Sequence, residues 1–273
     1  MGVTEPTHVT DLPDVTVAVV GDGPRTPGLV DALLSAVPGV WLPQPARAVL
    51  PEDLQGVDGV LVGDGVDATE VAVTALRSGL PVLVAEPPTD PRAAETLLRA
   101  DREAEHTTGR SLVQVGFARR HDPRFRELRG HAAGGALGRL RLVRGVEPCR
   151  DPDGGLVHAL DTVAWLVGRP VTVAGTEGGD DVLLVSARTE DGPVVDLELR
   201  RGPGDPTDVR WEVHGSEGSA EVVTTTDHLA EAHRILLTAW VRSVSSGVPG
   251  GARSADGCAA ALGVAAARAS RVQ

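Results

Sequence analysis

No lysine and no asparagine occur anywhere in the 273 residues, tyrosine is absent, and Ile235 is the sole isoleucine. All 26 basic residues are therefore arginines, which excludes any step assigned to a lysine ammonium, a Schiff base or a phosphate-loop lysine. A GC-rich coding sequence explains the joint scarcity, and the chemical consequence holds whatever the cause. Aromatic residues make up only 2%, with two Phe and four Trp, so the core must come from Val, Leu and Ala. Few stacking platforms remain for bases. Cys149 and Cys258, the two cysteines, are far apart and form no CxxC unit, which points away from disulfides and zinc and toward a reduced, cytoplasmic setting. No run approaches the ~20 apolar residues of a membrane span. The acidic stretch from Met1 to Asp14 is no signal peptide, and a loose leader is expected there. The formal charge of −12 argues against nucleic acid, because phosphate neutralisation needs a basic surface.

The apolar content, 41%, suffices for a buried core. Val15 to Val20 is a short β-branched run of the kind buried on both faces of a parallel sheet. It enters Gly21-Asp22-Gly23-Pro24-Arg25-Thr26-Pro27-Gly28 and then a helical pattern to Val37, which Pro38-Gly39 stops. Val40 begins a second strand that Pro43 and Pro45 cut short. Strands at Val57–Val62, Pro81–Val84 and Ser111–Val115 alternate with helices at Ala68–Ser78 and Pro91–His106. This β-α-β rhythm predicts a doubly wound sheet. After Gly116 the texture changes. Strands at Leu137–Val146, Val182–Arg188, Val194–Arg200 and Arg210–His214 combine with helices at Gly155–Val167, His228–Ser245 and Ser254–Arg271. Residues 1–116 are thus expected to form a dinucleotide-binding-type domain and residues 117–273 an α+β substrate and oligomerisation domain.

A strand opening on a glycine turn and a helix is where a dinucleotide pyrophosphate sits. Gly21 and Gly23 supply two of the glycines, but Thr26 stands in the third place, Pro24 removes an amide donor, and Asp22 adds negative charge. The acidic residue expected ~20 positions on, for the ribose hydroxyls, is missing. Arg119-Arg120 could clamp an anion or form an ion-paired loop. His121, His131, Cys149 and His158 lack the spacing of a metal site, and none is expected.

The run Gly79-Leu80-Pro81-Val82-Leu83-Val84-Ala85-Glu86-Pro87-Pro88, the helix from Pro91, and Val113 to Arg120 together resemble the Gfo/Idh/MocA oxidoreductases, relatives of glucose–fructose oxidoreductase and inositol dehydrogenase. The likeness continues through Gly154 to Asp161, Trp165 to Gly168, Gly215 to Gly218 and Ser254 to Leu262. It implies an α/β protein: a Rossmann-like doubly wound parallel sheet plus a C-terminal α+β domain with an open, largely antiparallel sheet. It implies NAD(P) as cofactor, held in part by Gly21, Gly23 and Pro87, a small-molecule ligand in the interdomain cleft, and a homo-oligomer.

The resemblance also marks departures. Aligned on Pro87, Glu86 stands where the family has lysine and Ala85 where it has glutamate; Ala118 replaces the usual asparagine. His158 matches the family's acid/base histidine, but its helper aspartate, four residues earlier, is Gly154. Asp161 matches a downstream aspartate. His158 is either catalytic or a histidine hydrogen-bonded at the domain interface. With the lysine gone, these departures lead to the expectation of a non-redox or auxiliary protein in a specialised bacterial pathway, with His158, Glu86 and Asp161 at its centre. The alternatives are an NAD(P)-dependent oxidoreductase on a sugar or cyclitol, and a non-catalytic partner of a paralogue.

Overall fold

The computed structural model describes residues 14–37, 40–41, 51–179, 181–202 and 209–271. The expected leader, the Pro38-Gly39 stop and the Pro43 and Pro45 breaks lie outside the described residues.

The first sheet is all parallel. It comprises β1 (Val15–Val20), β2 (Val40–Trp41), β3 (Gly59–Val62), β4 (Val82–Val84) and β5 (Val113–Val115), in the order β2-β1-β3-β4-β5. Its central strands are buried on both faces, which is why they are unbroken apolar runs and not alternating ones. The two faces nonetheless serve different helices. Val17, Val19, Leu61 and Leu83 pack with Leu33 of α1 (Thr26–Ala36) and with Leu236, Leu237 and Trp240 of α6 (Thr226–Ser246). Val20, Val60, Val62, Val82 and Val84 face α2 (Ala68–Arg77) and α3 (Pro91–Thr108), which contribute Val71, Ala75 and Leu97. Each buried Val or Leu among them contributes about 1.5–3 kcal/mol by leaving water.

Helix limits follow local chemistry. Asp67 and Asp90 cap the first turns of α2 and α3 through their carboxylates, and Gly109 ends α3 in the left-handed conformation.

The second sheet holds β6 (Leu140–Cys149), β7 (Val171–Gly178), β8 (Val182–Thr189), β9 (Val194–Arg201), β10 (Val209–Gly215) and β11 (Ser219–Thr224), ordered β11-β10-β6-β9-β8-β7. The pairing of β6 with β9 is parallel and the others are antiparallel. Along β8, and along β9 as far as Arg200, buried and more exposed residues alternate. Leu183, Val185, Val195, Leu197 and Leu199 share the core with Leu156, Leu160 and Val163 of α5 (Pro152–Val167), while the other face stays open.

Three elements escape the sequence pattern. Helix α4 (Pro123–Ala133) buries Phe125, Leu128 and Ala132 beneath an arginine-rich exterior. The alternation of β7 is interrupted by Gly175, next to a register shift, and β11 is a short outer strand of six residues. The closing helices return to the first sheet: α6 lies on α1 and β1, and α7 (Ser254–Ser270) packs on α3, α5 and β5.

Candidate functional site

Because β1, β3, β4 and β5 are parallel, the segments that follow them meet at one edge: Gly21-Asp22, Gly63-Asp64, Ala85-Glu86 and Gly116-Phe117. This is the edge where α/β sheets bind ligands. Gly116 makes the edge compact, since a Cβ there would lie 2.1 Å from the Ala85 carbonyl oxygen.

The glycine turn is closed by a carboxylate. Arg25, at the N-cap of α1, provides no side-chain cap. Asp64 provides it from the end of β3: its carboxylate accepts from the Arg25 amide at 3.1 Å, the Thr26 amide at 2.9 Å and the Thr26 hydroxyl at 2.8 Å. The Asp64 carbonyl accepts from the amides of Asp22 at 3.1 Å and Gly23 at 3.0 Å. Gly23 must be glycine for this contact, because a Cβ would lie 2.3 Å from the Asp64 carboxyl carbon. Burial alone would raise the Asp64 carboxyl, but the Thr26 hydroxyl and the Arg25, Asp64 and Thr26 amides outweigh it and hold Asp64 below its ordinary value. The first turn of α1 is therefore an anion site in its donor set and its shape, and a carboxylate of the chain stands in it. The donors fit the phosphates of a dinucleotide.

Glu86 sits at the same edge and is not alone. The Arg25 guanidinium donates to its Oε1 at 2.5 Å, so a cation stands beside the carboxylate that replaces the family lysine. Pro87 is buried next to it. His158 projects from the first half of α5 and packs edge-on against Phe117, with ring centroids 5.7 Å apart. Its ring hydrogen-bonds to none of the described residues. Burial pushes it down to about 3, and the charges of Arg119, His233 and Arg25 lower it further. His233 on α6 completes the cluster. Burial lowers it too, against its bond to the Leu229 carbonyl and the charge of Glu86. No sequence signal singled out Asp64 or His233, and Arg25 was only one letter of the glycine turn.

Asp161 lies one turn along α5 from His158, and its carboxylate is taken up by Arg120 through bonds of 2.5 and 3.0 Å. Burial raises Asp161 to about 6 against the pull of Arg120. Arg120 also reaches Asp256 of α7 at 3.2 Å. Arg119 donates to Glu147 at 2.7 Å, and the Trp211 indole donates to the other oxygen of Glu147 at 2.8 Å. Both arginines are thus spent on ion pairs, as an ion-paired loop requires. Asp151 caps α5 through the Asp153 and Gly154 amides, and Asp153 pairs with Arg268 and Arg271. Neither aspartate substitutes for the carboxylate missing at Gly154.

His121 and His158 set the response to acid. His121, 4% exposed, is pushed down to about 4 by burial and by Arg126 and Arg120. Both His121 and His158 lie below the unfolded value of ~6.5, so the unfolded chain binds protons first. Their stabilisation is complete above about pH 6.5 and is lost as pH falls through the folded-state values. Each removes about 1.4 kcal/mol per pH unit once its unfolded form is protonated. Asp161, raised in the fold, works the other way between about pH 6 and pH 4 and offsets part of the loss. Denaturant unfolding is expected to show a net fall in stability from about pH 7 to about pH 5 that is shallower in His121→Gln. A flat profile would contradict these assignments.

Among the described residues no group of three or more His, Cys, Asp and Glu could hold a metal ion, and no helix is long and apolar enough to cross a membrane. The thiol of Cys149 is raised to about 11 by burial first, and both cysteines are free.

No family model matches the chain. Inositol 2-dehydrogenase 2 of Saccharopolyspora erythraea is 33% identical over 246 aligned positions, covering 75% of this chain and 71% of the relative. Inositol 2-dehydrogenase of Leifsonia xyli subsp. xyli is 26% identical, covering 93% of this chain and 92% of the relative. Among solved structures, myo-inositol dehydrogenase of Lactobacillus casei, in complex with NAD(H) and myo-inositol, has a TM-score of 0.79 at 20% identity over 94% of each chain. GenD2 from gentamicin A biosynthesis, in complex with NAD, has a TM-score of 0.79 at 21% identity, covering 99% of this chain and 97% of that one. These likenesses show that the two-sheet fold is shared.

The relatives overturn the expectation of a non-redox or auxiliary protein, since the curated relatives are named as dehydrogenases. That expectation rested on Gly154, Pro24, the missing ribose acid and Glu86, the last counted as a missing cation. The structure places Arg25 against Glu86 at that position. The chain belongs to the Gfo/Idh/MocA oxidoreductase family.

Proposed function

We propose that this chain is an NAD(P)-dependent oxidoreductase that interconverts a hydroxyl and a carbonyl on a cyclitol or a related sugar-like polyol. The observation that carries this reading is the one-third identity to an inositol 2-dehydrogenase across most of both chains, with the family's histidine kept as His158 at the ligand edge of the sheet. A bound nicotinamide cofactor would supply the acceptor for hydride from the alcohol carbon. The first turn of α1, with Gly21 and Gly23 before it, would hold the phosphates, and the Ala85–Pro87 segment would border the nicotinamide end.

The remaining chemistry belongs to the chain's own side chains. His158 is uncharged across the working pH range because burial disfavours the imidazolium. A ring nitrogen is therefore available to accept the hydroxyl proton, and it returns that proton in the reverse direction. Proton transfer to so weak a base needs help from nearby positive charge. Arg25 supplies it, acting on the oxygen as negative charge develops there. Glu86 holds the guanidinium in place by a charge-assisted bond. Asp161 and Arg120 fix the orientation of α5, and hence of His158, from below.

The open face of the second sheet, with Val182, Leu184 and Val194 exposed, supports self-association of the chain through that face.

Calorimetric titration with NAD⁺, NADH, NADP⁺ and NADPH tests the cofactor assignment. Binding of at least one with Kd below about 1 mM, near −4 kcal/mol or stronger, is the expected result. No binding of any of the four at millimolar concentration contradicts it.

A further inference from the structure

We infer that Asp64 is a built-in competitor for the dinucleotide phosphates: its carboxylate must leave the first turn of α1 before the cofactor can seat, and it thereby sets cofactor affinity. The inference rests on the NAD(P) reading above and goes beyond it, because it concerns an occupant that the glycine motif does not announce.

The count of donors makes the case. A pyrophosphate at a β-turn-α junction is held by the amides of the turn and of the first helical residues. Here Asp22 and Gly23 already donate to the Asp64 carbonyl, Pro24 has no N–H, and the Arg25 and Thr26 amides and the Thr26 hydroxyl donate to the Asp64 carboxylate. The donors that fit a phosphate at the helix terminus are those the carboxylate uses. Two anions cannot share them, since like charges at hydrogen-bond separation repel strongly. Asp64 also replaces the cap that Arg25 fails to give, so the empty first turn carries a cost that the carboxylate relieves.

The arrangement permits exchange. Asp64 is only partly buried, so its side chain can turn toward solvent while its carbonyl keeps the Asp22 and Gly23 amides. The two loops remain joined by backbone when the carboxylate is released. Removing the carboxylate by mutation likewise leaves that backbone joint intact.

The test compares the 273-residue chain with Asp64→Ala and Asp64→Asn, using NAD⁺ as the probe in calorimetry and amide spectra as a readout independent of turnover. Asp64→Ala is expected to bind NAD⁺ about tenfold more tightly, the scale of one charge-assisted hydrogen bond no longer displaced. Asp64→Asn should fall between, since its amide oxygen still fills the turn without the charge. In the unsubstituted chain, NAD⁺ should shift the Arg25 and Thr26 amide signals. If the unsubstituted chain binds NAD⁺ but both variants bind it equally or more weakly, Asp64 is a fixed latch and the inference is overturned while the cofactor reading stands. Arg25 and Thr26 amides that ignore saturating NAD⁺ overturn it in the same way. If neither the unsubstituted chain nor the variants bind NAD⁺, NADH, NADP⁺ or NADPH, the cofactor reading fails and the inference fails with it.

Discussion

Replacing His158 with alanine lowers kcat by about 10²–10⁴, the usual contribution of a positioned acid or base, while the melting temperature stays near that of the parent. The expectation rests on where the ring stands. It lies at the C-terminal edge of the parallel strands, packs edge-on against Phe117 and hydrogen-bonds to none of the described residues, so its loss leaves no partner stranded. Its backbone carbonyl accepts from the Thr162 hydroxyl at 2.8 Å, and alanine keeps that bond. A structural histidine would show the opposite pattern, with stability lost and turnover kept. Steady-state kinetics beside a thermal melt separates the two, and unchanged turnover in His158→Ala removes the residue from the mechanism.

Arg119→Ala has the largest expected effect on stability, a loss of about 3–5 kcal/mol, as for other buried pairs with one partner removed. Glu147 is 2% exposed and, among the described residues, keeps only the Trp211 indole once the guanidinium is gone. Arg119 also lies over the rings of Phe125 and Trp211, 5.9 and 5.8 Å from their centroids, so packing is lost along with charge. Since whole domains hold only about 5–15 kcal/mol, much of the stability rests on this residue. Arg200→Ala, at the exposed pair with Glu198 on β9, is the contrasting case, with no change expected. Denaturant unfolding of the two variants decides the matter, and equal midpoints would refute the role given to Glu147.

How much of this was legible beforehand follows from the range over which each feature is encoded. The parallel sheet was written in short apolar runs such as Val15–Val20 and Val82–Val84, because strands buried on both faces tolerate little else. Helix α4 was hidden since only Phe125, Leu128 and Ala132 face inward among charged neighbours. The strand β7 was hidden by Gly175 and Gly178, which break the alternation. His158 and Glu86 were visible through ordered motifs on either side of them. Asp64 and His233 were not, because their meaning arises only when strands distant in sequence end at one edge. Asp64 lies 38 residues from Thr26, and no local spacing couples the two. Part of the non-redox expectation has the same origin: beside Gly154, Pro24 and the missing ribose acid, it reads a lost lysine at position 86, while Arg25, 61 residues away, meets Glu86 in space.

The most direct test of the central claim is turnover. The purified chain is incubated with NAD⁺ or NADP⁺ and a panel of inositols and sugar-like polyols, and reduced cofactor is followed by its near-ultraviolet absorbance. The account predicts that at least one cyclitol or polyol yields reduced cofactor at a rate that collapses in His158→Ala. A chain that binds cofactor yet reduces none with any member of the panel, or whose rate is the same without His158, contradicts it.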